Sequence, residues 1–174
     1  MSVLKPIGLL LLVVATAILI MLILGSRIPP AHVASATVVI AASQARVWRL
    51  IEDTASQPQW RPDLKAVAPL PPHNGHTCWM EIQKYGKMPL CEILTAAPST
   101  RVVLIDDPTL PFGGTWTYHL EPSGTGSKVT ITEDGEVYNV FFRFLSRFVF
   151  GYTSTIDTYL NSLGKKLGDS IMIR

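Results

Sequence analysis

Glu133 is the residue whose type and place argue most directly for chemistry. By strand alternation it shares a face with Val129, Ile131 and Val137, which should be the buried one. A carboxyl there is costly unless it is hydrogen-bonded or paired. It therefore reads as a polar anchor or an acid/base group in a pocket, and it is the one candidate catalytic residue. The bland readings are a structural partner such as Arg143, or a bulge at Asp134-Gly135 that turns the side chain outward. Those are commoner, because buried charges are usually structural pairs. A dehydratase or cyclase would need a second polar group beside it. Tyr118 and His119 are nearest in kind, but adjacent strand residues point to opposite faces, so one strand cannot supply both.

Other chemical motifs carry less. His73-x-x-His76-x-Cys78 gathers soft ligands around a Pro/Gly turn, but zinc wants four ligands, or three and a water, and no fourth is near. Gly124-Thr-Gly-Ser-Lys128 lacks the phosphate-loop spacing and joins two strands, which makes it a hairpin turn. No G-x-S-x-G elbow occurs, so Ser-His-Asp hydrolysis has no support. Asp106-Asp107 and Glu133-Asp134 are neighbours on extended chain and cannot act jointly on one substrate. No metal or cofactor is implied. Cys78 and Cys91 fall on two arms of a hairpin turning at Tyr85-Gly86-Lys87. With Lys84 facing Met88 they stand three residues out of register, roughly 10 Å apart, and read as free thiols.

The apolar candidates for a binding site are Trp79, Trp116, Tyr118, Phe141 and Phe148, joined by Glu133. Aromatics of this kind line cavities, yet a plain filled core needs the same pattern. Trp60, after a Pro-broken helix, would plug one end of the core. The Phe-rich stretch from Phe141 to Phe150 could face a pocket, a bilayer or both.

These side chains need elements to hold them. Thr37 to Ala41 is a short β-branched strand, and Ser43 can cap a helix running to about Asp53. Strands are expected at 64–70, 77–85, 88–96, 101–106, 114–121 and 128–137, separated by Pro/Gly/Asn turns. From Asn139 to about Asp169 the period becomes helical. Phe141, Leu145, Phe148, Tyr152, Ile156, Leu160, Leu163 and Leu167 fall on one stripe, as for a single long helix weakened at Gly151 and Gly164. The class is α+β, a bent antiparallel sheet of about seven strands covered by that helix.

Ahead of this lies an unbroken apolar run, Ile7 to Leu24, bracketed by Lys5 and Arg27. As a helix it covers roughly 27 Å, about the thickness of a bilayer core. A cleaved signal peptide would have a shorter core, and the Ala34-Ser35-Ala36 motif lies far downstream behind Pro29-Pro30. The chain therefore reads as a membrane anchor (1–27), a linker (28–35) and one domain (36–174). Its expected location is a single-pass position in a bacterial cell membrane, with the side of the domain left open because the flanking charges nearly balance. Net charge is +2, without basic runs, which excludes a nucleic-acid partner.

Several stretches together resemble the SRPBCC superfamily, the START/Bet v 1-like helix-grip proteins, and most of all its polyketide cyclase/dehydrase branch. They are Ile40-Ala-Ala-Ser43 running into Val47-Trp48 and Asp53, Trp60-Arg-Pro-Asp-Leu64, Gly114-Thr-Trp-Thr-Tyr118 with Leu120-Glu-Pro122, Gly126 to Thr130, Glu133, and Tyr159-Leu160 with Leu163. The resemblance covers about Ser35 to Asp169 and leaves the apolar run outside. It implies a helix-grip fold with a deep pocket for a lipid, sterol, polyketide or other hydrophobic molecule. It does not imply one reaction, since the same fold serves carriers, cyclases and regulators. Three functions follow: a membrane-anchored binding module, a cyclase or dehydratase acting on a polyketide-like substrate, or an interaction domain with a filled core. The first is favoured, because only one polar pocket group stands out.

Overall fold

The computed structural model of the chain describes residues 4–84 and 86–168. Tyr85, in the expected hairpin turn, and Asp169, the expected end of the last helix, lie outside them. Helix α1 (Leu4–Ser26) is long and apolar enough to cross a membrane, and its apolar window is left uncovered by the rest of the chain. Thr16, the only polar side chain between Ile7 and Leu24, donates its hydroxyl to the Leu12 carbonyl at 2.8 Å and so is satisfied within the helix.

Strand β1 (Ala31–Ile40) begins inside the stretch read as linker. Its inward residues His32, Ala34, Ala36, Val38 and Ile40 alternate with outward ones, but the alanines and serine are too small to show that pattern in the sequence. Helix α2 (Gln44–Glu52) buries Val47, Trp48 and Ile51, and a 3-10 turn (Thr54–Gln59) follows. Then come β2 (Leu64–His73), β3 (His76–Gln83), β4 (Lys87–Ala96), β5 (Thr100–Ile105), β6 (Phe112–Ser123) and β7 (Gly126–Val137). The seven strands form one antiparallel sheet in the order β1-β7-β6-β5-β4-β3-β2. Asn74 (φ 51°) and Gly75 (φ 80°) close β2 onto β3 in a two-residue turn whose positive φ values match the strand twist. Gly124 to Lys128 is the β6–β7 hairpin and the start of β7.

The β3–β4 hairpin departs from expectation. Ile82 faces Lys87 and Glu81 faces Met88, so the register differs by three residues from one in which Lys84 faces Met88. The position of the turn sets hairpin register, and here Gln83 N–H donates to the Gly86 carbonyl at 2.9 Å, so the turn closes ahead of Gly86 instead of around it. Cys78 therefore faces Cys91 with a Cα separation of 4.1 Å, and the two form a disulfide on the outer side of the sheet. The expectation of free thiols is overturned. His73, Cys91 and Asp106 cluster within 4.8 Å there, but the Cys91 sulfur is committed to the disulfide, leaving two ligand atoms, too few for a zinc site.

The single long C-terminal helix is also corrected. Helix α3 (Val140–Leu145) runs into a π-helical turn (Ser146–Phe150), the chain breaks at Gly151 (φ 78°), and helix α4 (Ser154–Leu167) follows. The apolar stripe was continuous in sequence but serves two partners. Ile156, Tyr159, Leu160 and Leu163 of α4 pack on the sheet, beside Val38, Leu120, Val129 and Ile131. Helix α3 instead packs against the end of α1. A Cβ on Gly25 would collide with the Val140 carbonyl, so only glycine permits that approach.

Candidate functional site

Between the inner face of the sheet and the α3–α4 bend lies a cavity of about 580 Å³, a size suited to a small-molecule ligand. Two features keep it open. Helix α4 covers only part of the inner face, and at the uncovered end the sheet places Gly114 opposite Gly135 on neighbouring strands. Gly114 has φ 119°, and a Cβ there would strike the Asp134 carbonyl, so no side chain can fill this floor.

Glu133 stands at this end of the cavity wall, on the inner face as alternation requires. One carboxylate oxygen accepts Trp116 Nε1–H at 2.8 Å, and the other lies 3.2 Å from His32 Nε2. Neither sequence-based partner applies. Arg143 spends its guanidinium on the carbonyls of Val137, Tyr138 and Ile28, and β7 runs past Gly135 against β1 without a bulge. Gly135 has another use. It pairs with His32 across β1–β7, and the imidazole lies over it, stacked at 4.1 Å on Tyr152. His32 lines the cavity, and its Nδ1 is buried with no partner.

A second polar group stands across the sheet on β3. Arg61 donates to Glu81 at 2.7 and 3.2 Å, to Asp63 at 2.6 Å and to Gln57 at 2.8 Å. Burial alone would push the guanidinium down, but the Glu81 and Asp63 carboxylates outweigh it and hold Arg61 above its ordinary value. Arg61 also sits 5.1 Å over the Tyr159 ring, a cation–π contact. Between the two polar groups, Tyr118 meets Tyr159 edge-on at 5.5 Å. Burial pushes Tyr118 up to about 12 and Tyr159 well above its usual range, so both phenols stay neutral. With Met88, Leu90, Val103 and Ile105 the wall between them is apolar.

Of the residues expected to bind a ligand, Trp116, Tyr118 and Glu133 line the cavity together. Trp79 does not; it is buried in the core with the Arg101 guanidinium 5.1 Å over its ring. Phe141 and Phe148 are exposed and outside the lining, whereas Phe142 and Phe150 line it. The break at Gly151 causes that exchange, because it reorients the whole Phe-rich segment. Trp60 plugs the core as expected, edge-on to Tyr159 at 5.5 Å. His32, Arg61 and Glu81 escaped the sequence reading. Their trace in the sequence is the Asp134-Gly135 pair, which also reads as a bulge, and Glu81, which shares a strand face with Trp79.

The arrangement can hold a largely apolar molecule and meet hydrogen-bonding groups at two places. His32 and Glu133 also form one pair of touching ionisable groups on the cavity wall.

Residues 31–166 match the family described as polyketide cyclase / dehydrase and lipid transport. No curated protein matches the chain. Among solved structures, a START superfamily protein from Mycobacterium smegmatis superposes with a TM-score of 0.64 at 18% identity, covering 79% of this chain and 97% of that one. The Zhui aromatase/cyclase from Streptomyces sp. R1128 gives 0.64 at 13% identity, covering 79% and 94%. Norcoclaurine synthase from Thalictrum flavum gives 0.62 at 15%, covering 80% and 88%. At these identities the likeness shows the fold alone.

Proposed function

Because the chain belongs to the polyketide cyclase/dehydrase and lipid transport family, we propose that it is a membrane-anchored module that binds a hydrophobic small molecule or lipid. The observation that carries this reading is the open apolar cavity flanked by two polar groups. An amphiphile with a mostly apolar body and one or two hydrogen-bonding groups fits it best. His32 Nδ1, buried and unpartnered, is available to one of those groups. The open cavity speaks against the filled-core interaction domain. Helix α1 supports anchoring, since its apolar surface needs a cover that the domain does not give. The Cys78–Cys91 bridge suits an oxidising compartment, which favours the domain on the outer side with Lys5 inside.

The test is native mass spectrometry of the full chain released from nanodiscs containing oleate and a sterol. The wild type should retain an apolar adduct, and Trp116→Ala should weaken it by about tenfold, the worth of a large aromatic contact. A wild-type chain that retains neither would refute the reading. A second reading, a cyclase or dehydratase, is favoured by one observation: His32 supplies the second polar group beside Glu133 that such chemistry needs. Glu133→Gln separates the two. In a carrier it shifts ligand preference modestly, and in an acid/base enzyme it abolishes turnover.

A further inference from the structure

The exposed aromatic side chains of the domain are not scattered. Phe141, Phe142, Phe148, Val149 and Phe150 fall within ten residues, and Phe112 and Tyr138 lie nearby. Phe148, Val149 and Phe150 are 60%, 59% and 62% exposed. A concentrated apolar patch on a domain surface marks an interaction site. The same segment also lines the cavity, through Phe142, Ser146, Phe150 and Gly151, with Pro111 and Phe112 beside them. Its residues thus belong to the outer surface and to the cavity wall at once, which makes them the rim of an opening.

What covers this rim follows from where the segment is tied. Helix α3 begins at Val140, against Gly25, one residue past the end of the apolar run of α1. Arg143 fastens it there, donating to the carbonyls of Val137 at 2.7 Å, Tyr138 at 3.0 Å and Ile28 at 3.4 Å, the last just beyond α1. If α1 spans the bilayer, the Phe-rich segment is held at the level where the span leaves the hydrocarbon. Phe side chains with flanking arginines suit that layer, where apolar side chains dip several ångströms below the headgroups.

We propose that residues 141–150 lie in the membrane interface as the collar of a mouth, through which the cavity takes a water-insoluble amphiphile directly from the bilayer. This rests on the membrane-anchored binding reading above. The ligand then need never cross water, and His32 and Glu133 stand just inside the rim, on strand positions adjoining Gly114 and Gly135, to receive its polar group.

The experiment uses the full chain in phosphatidylcholine vesicles. Cys78 and Cys91 are paired, so an introduced cysteine is the only free thiol for a fluorophore. One variant, Val149→Cys, places the dye on the collar at an exposed position. The control, Thr125→Cys, places it in the β6–β7 turn at the far end of the sheet. Lipids carrying a quencher in the upper acyl chain should quench the dye at residue 149 several-fold more than at 125. In parallel, a photoactivatable diazirine fatty acid in the same vesicles should label the collar at Phe142 or Phe150 and the interior at Trp116 or Tyr118. Quenching at 149 no greater than at 125 would overturn the collar even if the interior is labelled, and would leave the binding reading standing. A disulfide joining two copies of the Val149→Cys variant, without lipid quenching, would overturn it in favour of a second copy of the chain. Strong quenching with labels on the collar alone would overturn uptake from the bilayer and count against the binding reading itself.

Discussion

Replacing Gly135 with alanine should break the His32–Glu133 contact while leaving the fold intact. A Cβ at this position would stand 2.7 Å from His32 Cε1, 2.9 Å from Nε2 and 2.8 Å from a Glu133 carboxylate oxygen. Ordinary contact with a Cβ is 3.4 Å or more, so imidazole or carboxylate must retreat by about 0.7 Å. The bond between them is already 3.2 Å long, and such a retreat takes it beyond hydrogen-bonding range. Leaving buried polar atoms unpaired costs roughly 1–3 kcal/mol. Gly135 is not among the glycines with positive φ, so alanine suits its backbone and recovers about 0.4–1 kcal/mol through the unfolded chain. The net loss is about 1–2 kcal/mol, which lowers Tm by roughly 3–6 °C for a chain of this size. Thermal unfolding followed by tryptophan fluorescence reads it. The decisive comparison is the same substitution in a His32→Ala background, where the ring is gone and Gly135→Ala should be neutral or stabilising. The coupling between the two sites is then about 1–2 kcal/mol. Equal destabilisation in both backgrounds would refute the packing of the imidazole over Gly135.

Three further outcomes are expected. Leu160→Asp puts an unpaired charge on the fully buried face of α4 and should cost more than about 3 kcal/mol, read as a lower urea midpoint; a parental midpoint would mean that α4 does not grip the sheet. Tyr118 and Tyr159 are raised by burial above the ordinary value near 10, so their stabilisation is full below pH ~10 and is lost as pH climbs through the folded values; for Tyr118, raised to about 12, this is about 3 kcal/mol. Tyr118→Phe should flatten that alkaline fall in Tm, and an unchanged profile would show that the phenol is not buried. Native membranes treated with a maleimide polymer should show no gel shift before reduction and a shift of two thiols after it; two reactive thiols without reductant would remove both the bridge and the argument for an oxidising side.

What the sequence made legible depended on whether the pattern was local. Hairpin β6–β7 is joined by a two-residue turn, so strict alternation carried Trp116, Tyr118 and Glu133 onto one face, and all three line the cavity. Register in β3–β4 depends on where the turn closes, ahead of Gly86 instead of around it, which residue types do not specify, and the disulfide is hidden with it. The C-terminal stripe kept helical period through Gly151, so periodicity could not reveal that its two halves serve different partners. His32 was hidden for a different reason. It sits among small residues that look like a linker, and its partner lies 101 residues away across a β1–β7 pairing that no local pattern encodes. Yet the sequence did hold a trace of it. An inward carboxylate followed two positions later by glycine, on a strand that is otherwise filled, leaves space beside a group that needs a partner. The bulge reading took Gly135 as a place where the strand bends. In the structure the strand runs straight, and the absent side chain makes room for the ring that satisfies Glu133. Cost decides between these readings: turning a strand outward sacrifices ladder hydrogen bonds, whereas a glycine beneath an imidazole sacrifices none.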